Sequence, residues 1–595
     1  MSRRSRKAEI ARRRRRAAQS DRVPTPPVPP EQQYDVIIVG YGPVGAVLAN
    51  LLGSQGHHVA VFERTSSIYH LPRAAHFDHE VMRVFQTLGL ADAIAATTLS
   101  LGGIDFLSGS GDRLFTIRQP EPPTPFSWSD SFMFVQPQVE AILRHGVERY
   151  DNVQVFLDHE VTSLHPREDH VHVAVVDHTT GTAHGVDGAY AIGADGARSI
   201  VRRHMAAPMV DLGFDESWLV VDVALQEAVA LPEICQQICD PVRPTVYLPL
   251  PEPYRRWELK VLTGEDPRLL EQPARVYELL APWVDAHQAE IVRAVVYDFH
   301  SRVAESWRAG RLLLAGDAAH QMPPFLGQGM GAGIRDAANL AWKLDGVLVG
   351  ELPSSVLDTY PSERTPHVRA VTEVAVATGE LISTTDPAVA AARDARLREH
   401  PDASPPVSLV LPALGPGILA DGEHDPGVGC LFIQPWVVAE DGDPYLLDEV
   451  MGHDFAIVTN LAAEDWDALV EGAPERAWHA LGGEVVIVTA DPPSSHHSRL
   501  HRQPDVDHTT AGVPATAPDD SFGHRFVHDR DGYLHQWFED RAAVAVLVRP
   551  DRYVYGIAHD PSHVGPLIEG LVDHLEHCRF DPLPDLDPSA PAREG

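Results

Sequence analysis

The stretch YDVIIVGYGPVGAVLANLLGSQGHHVAVFER, residues 34–64, contains the signals that decide the fold. Its apolar run from Val36 to Val39 is typical of a short strand buried on both faces of a sheet. A helix is predicted from about Val44 to Gln55, and the following HVAVF is predicted to be a second strand that Glu63 closes. The order strand, helix, strand predicts an α/β protein with a Rossmann-like domain.

Three glycines between the first strand and the helix form a G-x-G-x-x-G motif. Gly40 permits a tight turn, Gly42 lets the backbone approach a pyrophosphate, and Gly45 lets the helix pack on the strand. The amides at the helix N-terminus favour an anion, and Glu63 can accept hydrogen bonds from a ribose. The motif predicts a dinucleotide site, with FAD or NAD left open; an ordinary β-α-β turn is the alternative.

A second element is AYAIGADGARSIVRRHM, residues 189–205. An alternating apolar stretch ends at Gly193, and Asp195 and Gly196 follow before an arginine-rich helix. Asp195 either faces a ligand or caps that helix, and the arginines are equally consistent with a solvated helix face.

A third element is LLLAGDAAHQMPP, residues 312–324. A strand is predicted from Arg311 to Ala315, which places Asp317 at the strand end where open α/β sheets bind ligands. Asp317 suits a sugar-like hydroxyl, and a turn with a helix cap is the alternative. The following FLGQGMGAGIRDAANLAWKL predicts a glycine-rich loop and a helix. The helix is expected to bury one stripe, made of Ile334, Ala337, Ala338, Ala341, Leu344 and Leu348.

One G-x-G-x-x-G motif followed by two further ligand-facing turns favours a single long ligand. In this order the three elements resemble the single-component flavoprotein aromatic hydroxylases. The resemblance implies that FAD lies with its ADP half on the first element, its ribityl–pyrophosphate region on the third, and its ring along the glycines after it. The Asp195 element is implied to touch FAD and to be linked to NAD(P)H use. The implied FAD-binding residues are Gly40, Gly42, Pro43, Gly45, Glu63, Arg64, Asp195, Gly316, Asp317, Pro323, Gly327, Gly329 and Gly331.

Further segments are similar to 3-(3-hydroxyphenyl)propionate hydroxylases; they are residues 72–90, 134–143, 239–244 and 340–344. This likeness extends the implied FAD contacts to Arg73 and Gln136, and it covers nearly all of the chain after residue 33. Gly331 departs from the family, which usually has Asn there, so one side-chain contact to the flavin is in doubt.

The resemblance implies a monooxygenase that uses FAD, NADH or NADPH, and dioxygen to hydroxylate a phenol ortho to its hydroxyl. The foremost candidate substrates are 3-(3-hydroxyphenyl)propionate and 3-hydroxycinnamate, which would become catechols. A flavoprotein acting on another phenol, a polyketide or an antibiotic is the first alternative, and a non-catalytic dinucleotide-binding protein is the second. The expected partners are a small aromatic substrate and dioxygen, and a homo-oligomer is left open.

A base near the substrate hydroxyl would help, because a deprotonated phenol is a better nucleophile. His76 and Asp78, with His79, are the candidates, and the alternative is that they only begin a helix. Arg255 or Arg256 could bind a substrate carboxylate, although solvated arginines are the commoner case. His320 is expected to be structural.

The predicted organisation has an FAD-binding domain from residues 33–210 and 300–385, a β-rich substrate domain at 211–299, and a linker at 386–410. Residues 411–585 are predicted to form a thioredoxin-like domain without a C-x-x-C motif, in which HDFAIVTN, EVVIVTA, GYLHQWF and AVAVLVRPDRYVYGIA are expected strands. Residues 1–32 are predicted to be a basic, proline-rich disordered tail, and residues 586–595 a short tail.

Composition narrows the function classes. The 48 Lys and Arg residues against 84 Asp and Glu residues give a formal net charge of −36, which argues against a nucleic-acid partner. Four cysteines are too few for a disulfide framework and favour a reducing compartment, so a cytoplasmic location is expected. The sequence has neither an H-E-x-x-H motif nor an apolar stretch long enough for a transmembrane helix, so no metal site and no membrane partner are expected.

Overall fold

The computed structural model describes residues 33–68, 74–399, 411–420, 425–490 and 524–577. The predicted basic tail, Arg73 and most of the predicted linker lie outside these ranges. The chain divides into two compact units. The first contains Met1–Ala341 and Val368–Leu411, and the second contains Trp342–His367 and Pro412–Gly595. Among the helices described, none combines the length and the apolar character needed to cross a membrane.

The first unit carries two large sheets and the helices that cover them. Its strands are β1 (Gln33–Val39), β2 (Val59–Glu63), β3 (His76–Phe77), β4 (Leu99–Ser100), β5 (Gly103–Ser108), β6 (Arg113–Arg118), β7 (Phe132–Met133), β8 (Val153–Leu157), β9 (His159–Pro166), β10 (Val171–Asp177), β11 (Ala183–Gly193), β12 (Met209–Leu225), β13 (Cys235–Cys239), β14 (Thr245–Pro249), β15 (Tyr254–Lys260), β16 (Ala289–Ala304), β17 (Arg308–Ala309), β18 (Leu312–Leu314) and β19 (His320–Gln321). Its helices are α1 (Pro43–Ser54), α2 (His79–Thr87), α3 (Ala91–Ala95), α4 (Gln136–Val147), α5 (Ile200–His204), α6 (Pro267–Leu270), α7 (Pro273–Leu280), α8 (Gly329–Leu348), α9 (Thr359–Ser383) and α10 (Pro387–Glu399), of which α8 and α9 extend into the residues of the second unit.

The first sheet has the order β17-β18-β11-β1-β2-β8. Strands β18, β11, β1, β2 and β8 are parallel to one another, and β9 and β10 extend the sheet through β11. Its central strands are almost wholly buried, as expected for a parallel sheet covered on both faces. The parallel arrangement brings the carboxyl ends of β1, β2, β11 and β18 to one edge.

The second sheet has the order β19-β16-β12-β15-β14-β13-β5-β6. The predicted substrate domain begins at residue 211, but β5 and β6, which precede it by about a hundred residues, form one end of this sheet. The predicted boundary differs because β5 pairs with β13 in parallel, and local sequence patterns carry no information about such a distant partner.

Helix α8 follows the glycine-rich loop and is buried on nearly every side. The predicted apolar residues are mostly buried, but Arg335, Asp336, Asn339 and Lys343 are buried as well. The expectation of one buried stripe was therefore too narrow, because the polar residues of this helix find partners inside the protein.

The second unit is built around one seven-stranded sheet. Its strands are β20 (Trp436–Ala439), β21 (Pro444–Leu446), β22 (Ala456–Thr459), β23 (Glu484–Thr489), β24 (Arg525–Asp529), β25 (Ala545–Val548) and β26 (Val554–Ala558), and its helices are α11 (Leu447–Met451), α12 (Ala463–Val470), α13 (Ala473–Ala480), α14 (Tyr533–Arg541) and α15 (Val564–Glu576). Strands β23 and β22 are parallel, whereas β25 and β26 continue the sheet in antiparallel pairs. A β-α-β unit joined to a β-hairpin and a last helix is the arrangement of a thioredoxin-like core.

Two features of this unit differ from the sequence-based expectations. GYLHQWF is helix α14 rather than a strand, because Leu534, Trp537 and Phe538 are buried at helical spacing. Residues 342–367, assigned to the FAD-binding domain, group with this unit instead. There, Lys343 and Glu363 form a buried ion pair (2.7 Å), and Arg549 adds a second cation to Glu363 at 2.8 Å.

Candidate active site

The three elements singled out in the sequence meet at the carboxyl edge of the first sheet. Gly40 follows β1, and a Cβ placed on it would lie 2.4 Å from Ala194 O and 2.9 Å from Asp195 Cα. The φ angle of Gly40 is +100°, so the turn depends on glycine for both its conformation and its close approach. The first turn therefore packs directly on the Asp195 turn.

The first and third elements also touch. A Cβ on Gly316 would lie 3.0 Å from Val44 Cγ2, at the start of helix α1, and a Cβ on Gly333 would lie 2.7 Å from the same atom. The Gly333 position is also 2.9 Å from Gly316 Cα. Helix α1, the Gly316 turn and the start of helix α8 thus pack directly on one another, although about 270 residues separate Val44 from Gly316.

The space around Gly42 shows whether a pyrophosphate could approach the carboxyl edge of the first sheet. A Cβ on Gly42 would meet no atom within 4 Å, whereas one on Gly45 would lie 2.1 Å from Gly40 O. Gly45 is therefore required by packing inside the protein, but the missing side chain of Gly42 leaves open space in front of the N-terminus of α1. Open space before backbone amides at a helix N-terminus suits a phosphate group.

We call the open space in front of helix α1 the phosphate cradle. Glu63 and Arg144 bind the backbone of Tyr41, in the loop next to this space. Glu63 Oε2 accepts a hydrogen bond from Tyr41 N (2.9 Å), and Arg144 Nη2 donates to Tyr41 O (2.7 Å). Arg144 also pairs with Glu140 at 2.7 Å. Burial raises the pKa of Glu140, against the opposing effect of Arg144. These contacts hold the loop between Gly40 and Gly42 from both sides.

Asp195 is a buried carboxyl group at the end of β11. Its Oδ2 accepts from Ile200 N at 2.6 Å, while Ser199 is the N-cap residue of α5. Burial raises the pKa of Asp195, while hydrogen bonds from the Ser199 side chain and from the backbone of Ile200 and Val201 oppose this effect. Asp195 therefore caps the start of α5, and it lies against Gly40 at the edge of the sheet.

Asp317 lies just beyond β18 in a 3-10 turn, Gly316–Ala318, and is partly exposed. Pro323 precedes a second short turn, Pro324–Leu326, which ends at Gly327 with a φ angle of +64°. Asp317 thus follows Gly316, whose Cβ position lies 3.0 Å from Val44 Cγ2 at the start of helix α1.

We expect Asp317→Ala to weaken FAD binding about tenfold or more, since a lost hydrogen bond to a charged group costs about 1.5–3 kcal/mol. The dissociation constant for FAD, measured by titrating the apoprotein, checks this. Asp169→Ala, which removes an exposed carboxylate elsewhere in the unit, is the control. Full flavin retention with normal turnover in Asp317→Ala would remove Asp317 from the site.

A buried ion-pair network holds the glycine-rich loop in place. Gln328 Nε2 donates to Asp78 Oδ2 (3.1 Å), and Arg335 Nη1 donates to Gln328 Oε1 (3.0 Å). Arg335 also donates to Asp78 Oδ2 and, at 2.6 Å, to Glu80 Oε2. Loop, helix α2 and helix α8 are thereby joined through one guanidinium group. We call Asp78, Glu80, Gln328 and Arg335 the loop clamp.

The clamp also bears on Gly331. A Cβ on Gly331 would lie 3.0 Å from Arg335 Nη1 and 3.4 Å from Gln328 Oε1. The clamp thus occupies the space into which a side chain would begin, so Gly331 offers backbone rather than a side chain to a neighbouring ligand. Sequence reasoning missed Arg335 and Gln328. The available signal was an arginine one helical turn after the glycines, together with two acids in HFDHE.

The two candidate bases lie in different surroundings. Asp78 caps helix α2 by accepting from Val81 N (3.2 Å). Burial alone would raise its pKa, but Arg335 outweighs burial and holds the pKa of Asp78 well below its usual range. This favours the capping interpretation of Asp78. His76 Nε2 lies 3.0 Å from Ser131 Oγ, and a hydrogen bond to the backbone of Gly327 opposes the effect of burial on the pKa of His76.

The remaining predicted residues are placed as follows. Pro43 is the first residue of α1, Arg64 is exposed, and Gln136 Oε1 accepts from Ala74 N at 3.0 Å. A Cβ on Gly329 would meet only Met322, at an ordinary 3.7 Å.

The candidate arginines for a substrate carboxylate are not solvated. Arg256 is buried, with its Nε 2.6 Å from Asp222 Oδ1, and Arg255 pairs with Glu252. His320, expected to be structural, lies 2.6 Å from Asp336 Oδ2, which also accepts from Gly316 N at 3.0 Å.

Comparison with known proteins identifies the family. A family described as "FAD binding domain" matches residues 33–375, and one described as "HcaD C-terminal domain" matches residues 429–572. A probable NADH-specific resorcinol 4-hydroxylase from Rhodococcus jostii (strain RHA1) is 35% identical over 95% of this chain and 99% of its own. A 3-(3-hydroxy-phenyl)propionate/3-hydroxycinnamic acid hydroxylase from Burkholderia cenocepacia (strain HI2424) is 37% identical over 87% of this chain and 93% of its own.

Solved structures share the fold. The flavin-dependent monooxygenase PieE superimposes with a TM-score of 0.73 at 22% identity, covering 92% of this chain and 100% of its own. Aklavinone-11 hydroxylase does so with a TM-score of 0.70 at 22% identity, covering 91% of this chain and 99% of its own. The predicted fold class, an α/β FAD-binding fold with a C-terminal domain, is confirmed. With the phosphate cradle at Gly42 and relatives that match almost end to end, the chain belongs to the FAD-binding aromatic hydroxylases and is an FAD-dependent monooxygenase.

Proposed function

We propose that the protein hydroxylates a small phenol ortho to its hydroxyl group, with NADH or NADPH as reductant. The candidate substrates are 3-(3-hydroxyphenyl)propionate or 3-hydroxycinnamate, named for the Burkholderia relative, and resorcinol, named for the Rhodococcus relative. The identities of 37% and 35% do not choose between them. The single observation that supports a shared catalytic chemistry is that the turns of Gly42, Asp195 and Asp317 lie together at one edge of the parallel sheet.

Gly42, Asp195 and Asp317 would hold FAD, with the loop from Gly327 to Gly331 facing its ring. Bound FAD, once reduced by NAD(P)H, supplies the activation of dioxygen for insertion of one oxygen atom. The chain's own contribution is to orient the phenol, to exclude water and to manage the phenol proton.

The second sheet supports the first two of these tasks. One of its faces carries Trp218, Val246 and Phe106, which pack with Phe325 next to the glycine-rich loop. Cys235 on β13 and Leu250, directly after β14, pack with Ala75, the residue before His76. This apolar wall therefore stands opposite the segments assigned to the flavin ring, where a small aromatic molecule would be bound between them.

Purified protein tests the proposed function directly. NADH and NADPH oxidation is measured with each candidate phenol, and the hydroxylated product is quantified beside hydrogen peroxide. We expect FAD-containing protein to form a catechol-type product in proportion to the reductant consumed. Reductant consumption that yields only hydrogen peroxide with every phenol would overturn the proposal.

His76 is the residue that we assign to the phenol proton. Burial lowers the pKa of His76 below its usual value of 6.5, so its imidazole is neutral and able to accept a proton at neutral pH. Ser131, itself buried, holds Nε2. A Cβ atom placed on Gly327 would lie 2.9 Å from His76 Nδ1. The imidazole ring therefore lies against the glycine-rich loop.

We expect product formation to fall as the pH drops through the lowered pKa of His76, which lies below its usual value of 6.5, since protonated His76 cannot accept a proton. His76→Gln should lower kcat about 100-fold, the lower end for loss of a general base, and should abolish this acidic limb while FAD content stays unchanged. The measurement is kcat against pH with a phenol that does not ionise in this range. An acidic limb that is identical in wild type and variant would exclude His76 from this role.

A further inference from the structure

The second sheet has one face that packs on helices and one that faces the flavin-side segments. Leu219, Val221 and Trp257 form a core with Leu270 and Val276 of helices α6 and α7. Alternation along each strand places the neighbouring residues, such as Val220 and Glu258, on the opposite face. We call this opposite face the substrate wall.

Register defines one row of side chains across the substrate wall. Gln237 on β13 pairs with Phe106 on one side and Val246 on the other. Val246 pairs with Glu258, and Glu258 pairs with Val220. Since paired residues share a face, two polar side chains, Gln237 and Glu258, belong to an otherwise apolar row.

Gln237 lies between the two contacts that join the substrate wall to the flavin-side segments. Two residues before it, Cys235 packs in the cluster that contains Ala75 and Met133. Two residues after it, Cys239 packs in the cluster that contains Phe325. The first cluster contains the residue before His76 and the second contains the residue two positions before Gly327, and Gln237 lies between the two clusters on β13.

The Gln237 side chain has an unmet hydrogen-bonding need. The residue is only 3% exposed, and its Oε1 has no hydrogen-bond partner in the part of the chain that the structure describes. A buried amide oxygen without a donor is costly, and the atom can only accept a hydrogen bond. The missing partner is therefore a donor, such as a hydroxyl group.

The charges on the substrate wall are already matched. Asp222 Oδ1 lies 2.6 Å from Arg256 Nε, and Asp222 Oδ2 lies 2.7 Å from Arg293 Nη2. Glu258 adds a second acid, 3.8 Å from Arg256 Nη1. Burial raises the pKa of Glu258 despite both arginines, so the wall disfavours negative charge. A substrate carboxylate would add a third acid to a buried group that holds two acids and two arginines.

We propose that Gln237 is a specificity-determining residue whose Oε1 accepts a hydrogen bond from a second hydroxyl group of the substrate, and that the preferred substrate is an uncharged dihydric phenol. The proposal rests on the proposed function and selects between its candidates. It assigns the protein to neutral phenols such as resorcinol, rather than to phenols that carry a carboxylate side chain.

The test compares three probes with the FAD-loaded enzyme: resorcinol, 3-methoxyphenol, and 3-(3-hydroxyphenyl)propionate. 3-Methoxyphenol keeps the reacting hydroxyl but cannot donate from its second oxygen. We expect kcat/KM for product formation to be at least about tenfold higher for resorcinol than for either other probe, the effect of leaving a buried acceptor unpaired. Equal or higher values for 3-methoxyphenol or the propionate would overturn the proposal while leaving phenol hydroxylation intact.

Variants locate the effect at Gln237. Gln237→Leu should reduce the preference for resorcinol over 3-methoxyphenol to within about twofold, while Gln237→Glu, which keeps an acceptor, should retain part of it. Gln236→Leu is the matched control, because Gln236 pairs with Tyr247 on the helix-covered face and should leave the preference unchanged. A Gln237→Leu enzyme with the wild-type preference would overturn the proposal, and no hydroxylation of any probe by wild type would instead overturn the proposed function.

Discussion

Gly42→Val is expected to give a folded protein that is purified almost free of FAD. The added side chain meets no protein atom within 4 Å of its Cβ, and the residue has an extended backbone (φ −76°, ψ −173°) that valine adopts without strain. The side chain would instead fill the space in which a pyrophosphate approaches the loop. We expect bound flavin to fall to less than about a tenth of the wild-type amount, because steric exclusion leaves no compensating contact.

Flavin absorbance per protein, together with circular dichroism, checks this expectation. Gly102→Val is the matched control, because a Cβ at Gly102 also meets nothing within 4 Å but lies outside the predicted cofactor contacts. Gly45→Val should behave differently from both. Its Cβ would collide with Gly40 O, so we expect misfolding rather than a folded apoprotein. A folded Gly42→Val protein with a full complement of FAD would show that the cradle is elsewhere.

Arg335→Met is expected to fold with a large loss of stability. The guanidinium is 3% exposed and serves Asp78, Glu80 and Gln328 together. Its removal would leave two buried carboxylates without their shared guanidinium, for which about 3–5 kcal/mol is the usual cost. Because Gln328 belongs to the glycine-rich loop, the same change should displace the loop and weaken FAD binding.

Thermal unfolding followed by both circular dichroism and flavin release measures the two effects. Arg335→Lys should lose less stability, since it retains the charge but not the forked geometry. Combining Arg335→Met with Asp78→Asn and Glu80→Gln should recover part of the loss, because the buried charges are then removed together. If the single Arg335→Met variant unfolds at the wild-type temperature, the loop clamp does not hold the loop.

Protonation of Asp78 at low pH should weaken the loop clamp. The pKa of Asp78 is held below its usual range, so its contribution to stability is present at neutral pH. That contribution is lost as the pH falls through the lowered pKa, where the folded protein finally takes up the proton. The clamp should therefore be insensitive to pH throughout the range in which the enzyme is assayed.

Local sequence was sufficient to predict elements whose conformation depends on neighbouring residues alone. The strand and helix at residues 34–64 follow from the spacing of their apolar residues. The turn between them follows from the backbone freedom of glycine, and Gly40 does adopt a positive φ angle. The same reasoning placed Asp195 and Asp317 at strand ends, and parallel pairing of β1, β11 and β18 then brings those ends together. The FAD-binding fold and the family were thus predicted from the sequence.

Local sequence pattern was insufficient where a short segment is compatible with both a strand and a helix. GYLHQWF has the composition of a strand, yet its buried residues follow a helical period. Periodicity over seven residues is too short to separate the two, and packing against the sheet of the second unit decided for the helix.

By itself, the sequence determined the α/β fold, the dinucleotide cradle and the enzyme family, because turn stereochemistry and side-chain period act over a few neighbouring residues. Only the tertiary structure decided that β5 joins the second sheet, that Arg335 binds Asp78 across 257 positions, and that Gln237 lies buried with an unpaired oxygen. Each of these depends on which distant segments share a surface, and the free energy of burying a charge or an amide is set by those partners rather than by the residue's neighbours in the chain.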